Sequence, residues 1–212
     1  MASLEHPENY VIVPASATNI RDLFASMIRI NYGLTWGLTW RGAHEAVSEE
    51  GAFMPTPRQF IDLLMHLRSD QPVYNGRGTL IEKSRIDSML DDILTRRDPY
   101  RAEWLDANFK FVGPKLVVDF NHRIVREGLI PENREPLEDC LMECRHVDLF
   151  SANRQGLPTR DSANQDIYFY PPLSEGNSVA GFGAGSGGVY LGCGRNPQSY
   201  GTGLGVRKFF ER

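Results

Sequence analysis

The chain has little cysteine, no long apolar run and no excess of positive charge, and each shortage excludes something. Three cysteines in 212 residues, Cys140, Cys144 and Cys193, are an odd number without the spacing of a disulfide framework, so a reducing compartment fits. No apolar stretch approaches the ~20 residues that cross a bilayer. The start, Met1-Ala-Ser-Leu-Glu-His-Pro7, lacks the basic and apolar regions of a signal peptide. Both observations predict no membrane insertion and a cytoplasmic or virion-associated protein. Lys and Arg total 23 against 27 Asp and Glu, a formal net charge of −4, which argues against nucleic acid as the partner. Basic side chains gather at Arg85, Arg96, Arg97 and Arg101. Asp87, Asp91, Asp92, Asp98 and Glu103 are interleaved with them, which predicts a solvated, self-compensating surface.

Catalytic and metal signatures are equally scarce. No G-x-S-x-G is present. His44-Glu45 begins like H-E-x-x-H, but Ser48 stands where the second ligand belongs. Cys140 and Cys144 are four apart without a histidine at zinc-type spacing, and buried structural thiols are the reading for both. His44, His66, His122 and His146 are scattered, and His6 lies near the terminus. Asp119 and His122 flank a strand end and read as a surface hydrogen bond rather than a catalytic base. Glu175 is the only acidic residue near the C-terminal segment, too few for calcium. The expectation is no catalytic residue, no metal and no cofactor.

A composition of 41% hydrophobic and 24% charged residues suits one globular domain spanning 1–212. Tyr10-Val-Ile-Val13 reads as a short strand. Ser16 or Thr18 then caps a predicted helix reaching about Ile30, with Ile20, Leu23, Phe24, Met27 and Ile28 on one face. A direct repeat follows, Gly33-Leu-Thr-Trp36 and Gly37-Leu-Thr-Trp40, whose tryptophans predict a loop or turn anchored in the core. Thr56 and Pro57 are N-cap and first residue of a second helix burying Phe60, Leu63, Leu64 and Leu67. Asn75-Gly76 marks a turn. Ser84 caps a third helix with Ile86, Met89, Leu90, Ile93 and Leu94 inward, ended by Pro99. Around Gly113-Pro114, Phe109 and Phe111 alternate on one side and Leu116, Val118 and Phe120 on the other, which predicts a hairpin. Residues 127–164 read as loop, and Tyr168-Phe-Tyr170 as a strand stopped by proline.

The C-terminal segment departs most from average composition. Ten of the 20 glycines lie between Gly181 and Gly205, and Arg195 is the only charged side chain between Glu175 and Arg207. Gly183, Gly185 and Gly188 satisfy G-x-G-x-x-G, but the strand-like Val189-Tyr-Leu-Gly-Cys193 follows where a phosphate-binding turn needs a helix. Alternation argues against simple low complexity. Ala184 and Ser186 alternate with Gly183, Gly185 and Gly187; Val189, Leu191 and Cys193 alternate with Tyr190, Gly192 and Gly194. Alternate residues of a strand share a face. The two runs are one residue out of phase, so a common packing face needs a bulge or turn at Gly187-Gly188. The other face then carries glycine and tyrosine, at a strand cost of roughly 0.5–1 kcal/mol for each glycine against alanine. Gly, Tyr, Asn and Ser are also all reachable from an AAC codon by changing its adenines alone, whereas Lys, Glu, Gln, Met and Trp are not.

These residues resemble the variable proteins of diversity-generating retroelements of the archaeal and candidate-phylum type. The resemblance is carried by Val179-Ala-Gly-Phe182, the alternating run from Gly183 to Arg195, Asn196-Pro197 and Leu204-Gly-Val-Arg207. Upstream it extends to Met54-Pro-Thr-Pro57 with Phe60, the run from Arg97 to Asp106, Pro136 to Met142, and Gln155-Gly-Leu-Pro-Thr159. Such proteins are similar to formylglycine-generating-enzyme relatives. The resemblance implies an α+β, C-type-lectin-like fold, a small irregular antiparallel sheet with flanking helices, in which 1–178 is scaffold and 179–207 is the variable, ligand-binding segment. It further implies variable side chains at Gly183, Gly185, Gly187, Tyr190, Gly192, Gly194, Asn196, Ser199, Tyr200, Gly201 and Gly203. Scaffold positions are Ala184, Ser186, Val189, Leu191, Cys193, Leu204 and Val206. The implied function is binding of a macromolecular ligand of unknown identity, a protein being the favoured class. A formylglycine-generating-type oxidase and a fixed virion receptor-binding component are the alternatives. With so many glycines this copy offers little contact area, and Tyr190 and Tyr200 are the only aromatics among the variable positions.

Overall fold

Strand β3, Arg101–Val112, is the element around which the chain is built; its first nine residues are all buried. A strand so continuously buried must be covered on both faces. In the computed structural model, which describes residues 4–30, 37–164, 167–173 and 177–212, helices supply that cover. Helix α1, Trp40–Ser48, lies on one face; helices α2, Pro57–Arg68, and α3, Lys83–Leu94, lie on the other.

Beside β3 run β8, Ser178–Gly185, antiparallel, and β10, Leu204–Glu211, parallel through Leu204 and Gly205. From Asn108 onward, β3 pairs with β4, Lys115–Val125, on the edge that β10 takes at Ala102 and Glu103. The sheet continues from β10 to β2, Leu23–Ile30, and β1, Tyr10–Val13. On the other side β9, Gly188–Arg195, is followed by β7, Ile167–Tyr170, and β6, Arg145–His146. β5, Gly128–Pro136, pairs with β4 alone. The fold is thus α+β, with ten strands and three α-helices among the described residues. The sheet is larger than the small antiparallel one expected, and two of its pairings, β3 with β10 and β7 with β9, are parallel.

Local signals hold where chemistry leaves little choice. Thr56 accepts from the Gln59 N–H and the Gln59 side chain returns a bond to the Thr56 N–H, a complete capping box before Pro57. The hairpin turns at Gly113, whose φ of 60° suits glycine. Three expectations fail. The helix read from Ser16 or Thr18 to Ile30 is strand β2 from Leu23 onward, because β1 and β10 take its backbone on both sides. Its supposed inward stripe includes Ile20 and Ile28, 89% and 74% exposed, while Ser16 and Thr18 bond Asp62 of α2 rather than a helix start. Tertiary pairing overrides the period here. Helix α3 starts at Lys83, so Ser84 lies inside it, and Glu82 occupies the cap position without a side-chain bond. The loop expected over 127–164 contains β5, where Pro131 and Pro136 are tolerated because β5 is an edge strand.

One cluster of expected surface charge is buried. Glu103 and Arg207 are fully buried and Arg101 nearly so. Arg207 Nη2 is 2.7 Å from Glu103 Oε1, Arg101 also bonds Glu103, and Arg101 Nη2 reaches Asp92 of α3 at 2.7 Å. Burial alone would raise the Glu103 carboxyl; Arg101 and Arg207 outweigh it and hold it at about 2. Fixed between β3, β10 and α3, this cluster anchors the strands flanking the C-terminal segment.

Candidate ligand-binding face

The β8–β9 hairpin resolves the phase change in the glycine run. Its turn is Ser186-Gly187, and Gly188 opens β9 with φ 130°. Across the pair, Gly181 faces Gly192, Gly183 faces Tyr190 and Gly185 faces Gly188. The intervening Phe182, Ala184, Val189, Leu191 and Cys193 enter the main core with Phe60, Ile93 and Phe169. The hairpin therefore has one sealed apolar face and one face of glycine and tyrosine. Leu204 and Val206 are also buried, whereas Ser186 is exposed at the turn.

Arg195 lies across the glycine floor. Its Cζ is 5.3 Å from the Tyr190 ring centroid and 5.7 Å from that of Trp104, and its guanidinium donates to the Tyr190 hydroxyl. A Cβ at Gly181 would approach Arg195 Cδ to 3.1 Å, so the missing side chain makes room for the arginine stem. An aromatic row continues outward: Tyr190 to Tyr170 at 5.9 Å, Tyr170 to Tyr168 at 5.0 Å and Tyr168 to His146 at 5.0 Å, all edge-on. Tyr170, Leu173, Tyr190, Gly192, Gly194 and Arg195 line an open groove of about 580 Å³. Burial pushes the Tyr190 phenol up, so its hydroxyl stays protonated at neutral pH.

The remaining variable candidates lie in the 196–203 loop. Asn196 and Tyr200 are exposed, Tyr200 by 67%, and Ser199 is half-buried. The second copy of the tryptophan repeat supports this loop. The Trp40 N–H donates to Pro197 O at 3.2 Å, and a Cβ on Gly37 would fall 1.7 Å from Gly201 O. Trp40 itself is buried at the start of α1, its Nε1 donating to Leu105 O at 2.9 Å. The first copy, residues 33–36, lies outside the described residues, as does Glu175.

The candidate positions differ in the room they offer. At Gly187 nothing lies within 4 Å of an added Cβ, and at Gly185 and Gly192 it would make ordinary contacts, no closer than 3.4 Å. At Gly194 it would press on Leu173 at 3.2 Å. At Gly183 it would meet the Tyr190 ring tip at 2.7 Å and the Ala102 Cβ at 2.9 Å, and at Gly201 the Tyr100 hydroxyl at 2.5 Å. Gly203 is the tightest of the set: its Cβ would stand 2.0 Å from the Tyr100 carbonyl oxygen, which is backbone.

No family model, curated protein or solved structure matches the chain. Among the described residues, no helix is long and apolar enough to cross a membrane.

The residues read as chemically idle fall into place unevenly. Cys193 is buried, as its alternation required. Cys140 is half-buried and burial pushes its thiol up to about 11. Cys144 is exposed, against the buried reading, because its segment is not helical. Asp119 does not meet His122. It is held by Arg134 at 2.7 Å and Lys110 at 2.6 Å, while His122 turns inward to Asp106. Sequence reasoning missed Trp104, Tyr168 and Tyr170 as walls of the face; only the pairing of β3, β7, β8 and β9 brings them beside Arg195.

Proposed function

We propose that this chain is a binding protein of the diversity-generating-retroelement type, displaying variable side chains on a C-type-lectin-like scaffold. Its ligand is a macromolecule, favoured to be a protein. The observation that carries the reading is the division of the β8–β9 hairpin. Every core-facing residue from Phe182 to Cys193 is sealed, while three of the alternate positions, Tyr190, Gly192 and Gly194, line one groove with Arg195; Gly183 and Gly185 on β8 are buried beside it. Both ends of the segment are tied down, β8 by β3 and β10 by β2 and β3. A backbone fixed in this way tolerates exchange of outward side chains, which is the physical requirement for variation without refolding. Aromatic rings with an adjacent guanidinium are also the side chains that carry most binding energy in protein interfaces. The resemblance motifs are neighbours as well: Gly156 packs on the start of α2, where its Cβ would fall 2.3 Å from the Arg58 nitrogen, and Leu141 N–H donates to Pro158 O.

An oxidase reading gains nothing from Cys140, which is held as the unreactive thiol. The deciding experiment is nucleotide sequencing of the gene's 3′ end and its flanks. A near-identical repeat differing over codons 183–203 only at adenines, beside a reverse transcriptase gene, is the expected result. Absence of any such repeat would overturn the diversification reading.

A further inference from the structure

We infer that His44, Asp106 and His122 form a binding site for one divalent transition-metal ion, of the borderline class that zinc represents. The three side chains come from α1, β3 and β4, and one donor atom from each lies within 4.8 Å of the others. This pocket lies in the interior between α1 and the sheet and is independent of the binding groove.

Local backbone features aim all three inward. The β3–β8 register slips between Leu105 and Asn108, leaving Asp106 without an opposing residue; its N–H bonds Pro55 O instead. Asn121, with φ 53°, adopts a left-handed conformation just before His122. His122 then donates its backbone N–H to Asp106 Oδ2 at 2.9 Å and sets Nδ1 2.5 Å from Oδ1.

His44 is the unexplained member. It is 3% exposed, its Nε2 has no hydrogen-bond partner, and that atom is 3.5 Å from Asp106 Oδ1. A neutral imidazole has one nitrogen lone pair to offer. A lone pair directed at a carboxylate is repulsive, and an N–H at that distance is too long to bond well. A cation between them removes the conflict. Metal–ligand bonds of about 2.0–2.1 Å in a tetrahedron set ligand atoms roughly 3.3 Å apart. The His44–Asp106 separation already suits this; the His122–Asp106 contact opens by under an ångström as the ion displaces their shared proton.

The surroundings favour an ion over a mobile polar group. Trp40 stands edge-on to both imidazoles, at 4.6 Å from His44 and 4.9 Å from His122, and its own N–H is committed to Leu105 O. It walls the site with apolar surface and fixes both rings. Asp106 also borders a cavity of about 220 Å³, with Thr56 and Arg58 on its wall. Two imidazoles and one carboxylate match zinc or iron(II) rather than calcium or magnesium. The bound ion ties α1 to β3 and β4.

The test is titration of the chelator-stripped full chain with zinc chloride by calorimetry, and with cobalt(II) followed by visible absorption. The expected result is one equivalent bound with micromolar or tighter Kd, and a Tm raised by roughly 5–10 °C at a hundredfold excess over Kd. His44→Gln and His122→Gln each weaken binding at least tenfold, whereas a Cys140→Ser/Cys144→Ser variant binds unchanged. If the histidine variants do not fold, imidazole ¹⁵N shifts of the wild-type chain decide: zinc must move His44 Nε2 and His122 Nδ1. No binding at 100 µM zinc, binding that survives both histidine variants, or binding lost with the cysteines would each overturn the site and leave a buried His–Asp–His hydrogen-bond cluster.

Discussion

Arg195 spans the gap between Tyr190 and Trp104, stacked near both rings and bonded to the Tyr190 hydroxyl. The one charge in the glycine-rich segment is thereby held by two aromatic faces, and its stem rests where Gly181 and Gly192 have no side chains. Arg195→Ala removes both cation–π contacts, each worth about 0.5–1 kcal/mol at a partly exposed site. The expected loss in urea unfolding is about 1–2 kcal/mol. A change under 0.3 kcal/mol would mean the stack does not persist in solution.

The glycines of the face are not equivalent, and two alanine substitutions separate them. Gly187→Ala meets open space and is expected to alter stability by less than about 0.5 kcal/mol. Gly203→Ala drives a methyl against the Tyr100 carbonyl and is expected to cost about 3 kcal/mol or prevent folding. Equal stability of the two variants by thermal unfolding would refute this spacing of loop and strand. On the proposed reading the same reasoning ranks the positions: Gly185, Gly187 and Gly192 have room for a Cβ, whereas Gly203 needs Tyr100 to move.

Glu103 gives the fold a calculable acid limit. Its carboxyl is held at about 2 in the folded chain against 4.5 for the ordinary group. A depressed carboxylate stabilises the fold above its unfolded value and loses that contribution as pH falls toward the folded one. Unfolding free energy should therefore fall between pH 4.5 and 2, by on the order of 3 kcal/mol from this group. Glu103→Gln leaves Arg101 and Arg207 with the partly exposed Asp92 as their one remaining counter-charge, and losing a buried partner typically costs about 3–5 kcal/mol at neutral pH. It should also flatten the acid dependence. A variant with wild-type acid sensitivity would assign that sensitivity to other carboxylates.

How much was legible depended on whether a signal was local. Thr56 with Pro57, the Gly113-Pro114 hairpin and the alternation from Phe182 to Cys193 were readable because capping, turn geometry and strand period act within a few residues. The strand at Leu23–Ile30 was not, since an apolar spacing that also fits a helix was decided by β10, which arrives at the far end of the chain. Arg101 and Glu103 looked like surface charge because their partner Arg207 is distant in sequence. His44 and His122 looked scattered for the same reason. The candidate face was legible in its glycines and Tyr190, but its other walls, Trp104 and Tyr170, are contributed by strands whose adjacency no short motif encodes.

The three thiols separate the binder from an oxidase. Cys144 is exposed, Cys140 is half-buried with its thiol raised by burial to about 11, and Cys193 is sealed in the core with its thiol raised well above the ordinary value by burial. Only the thiolate attacks a disulfide reagent. A native chain treated with an aromatic disulfide at pH 8 should therefore release one equivalent quickly, from Cys144, and a second slowly, from Cys140. Cys193 should react only on unfolding. An oxidase that worked through Cys140 needs it as an accessible thiolate, so rapid release of two equivalents would reopen that reading. Slow reaction at Cys140 leaves the thiols as bystanders, as the proposed binding reading requires.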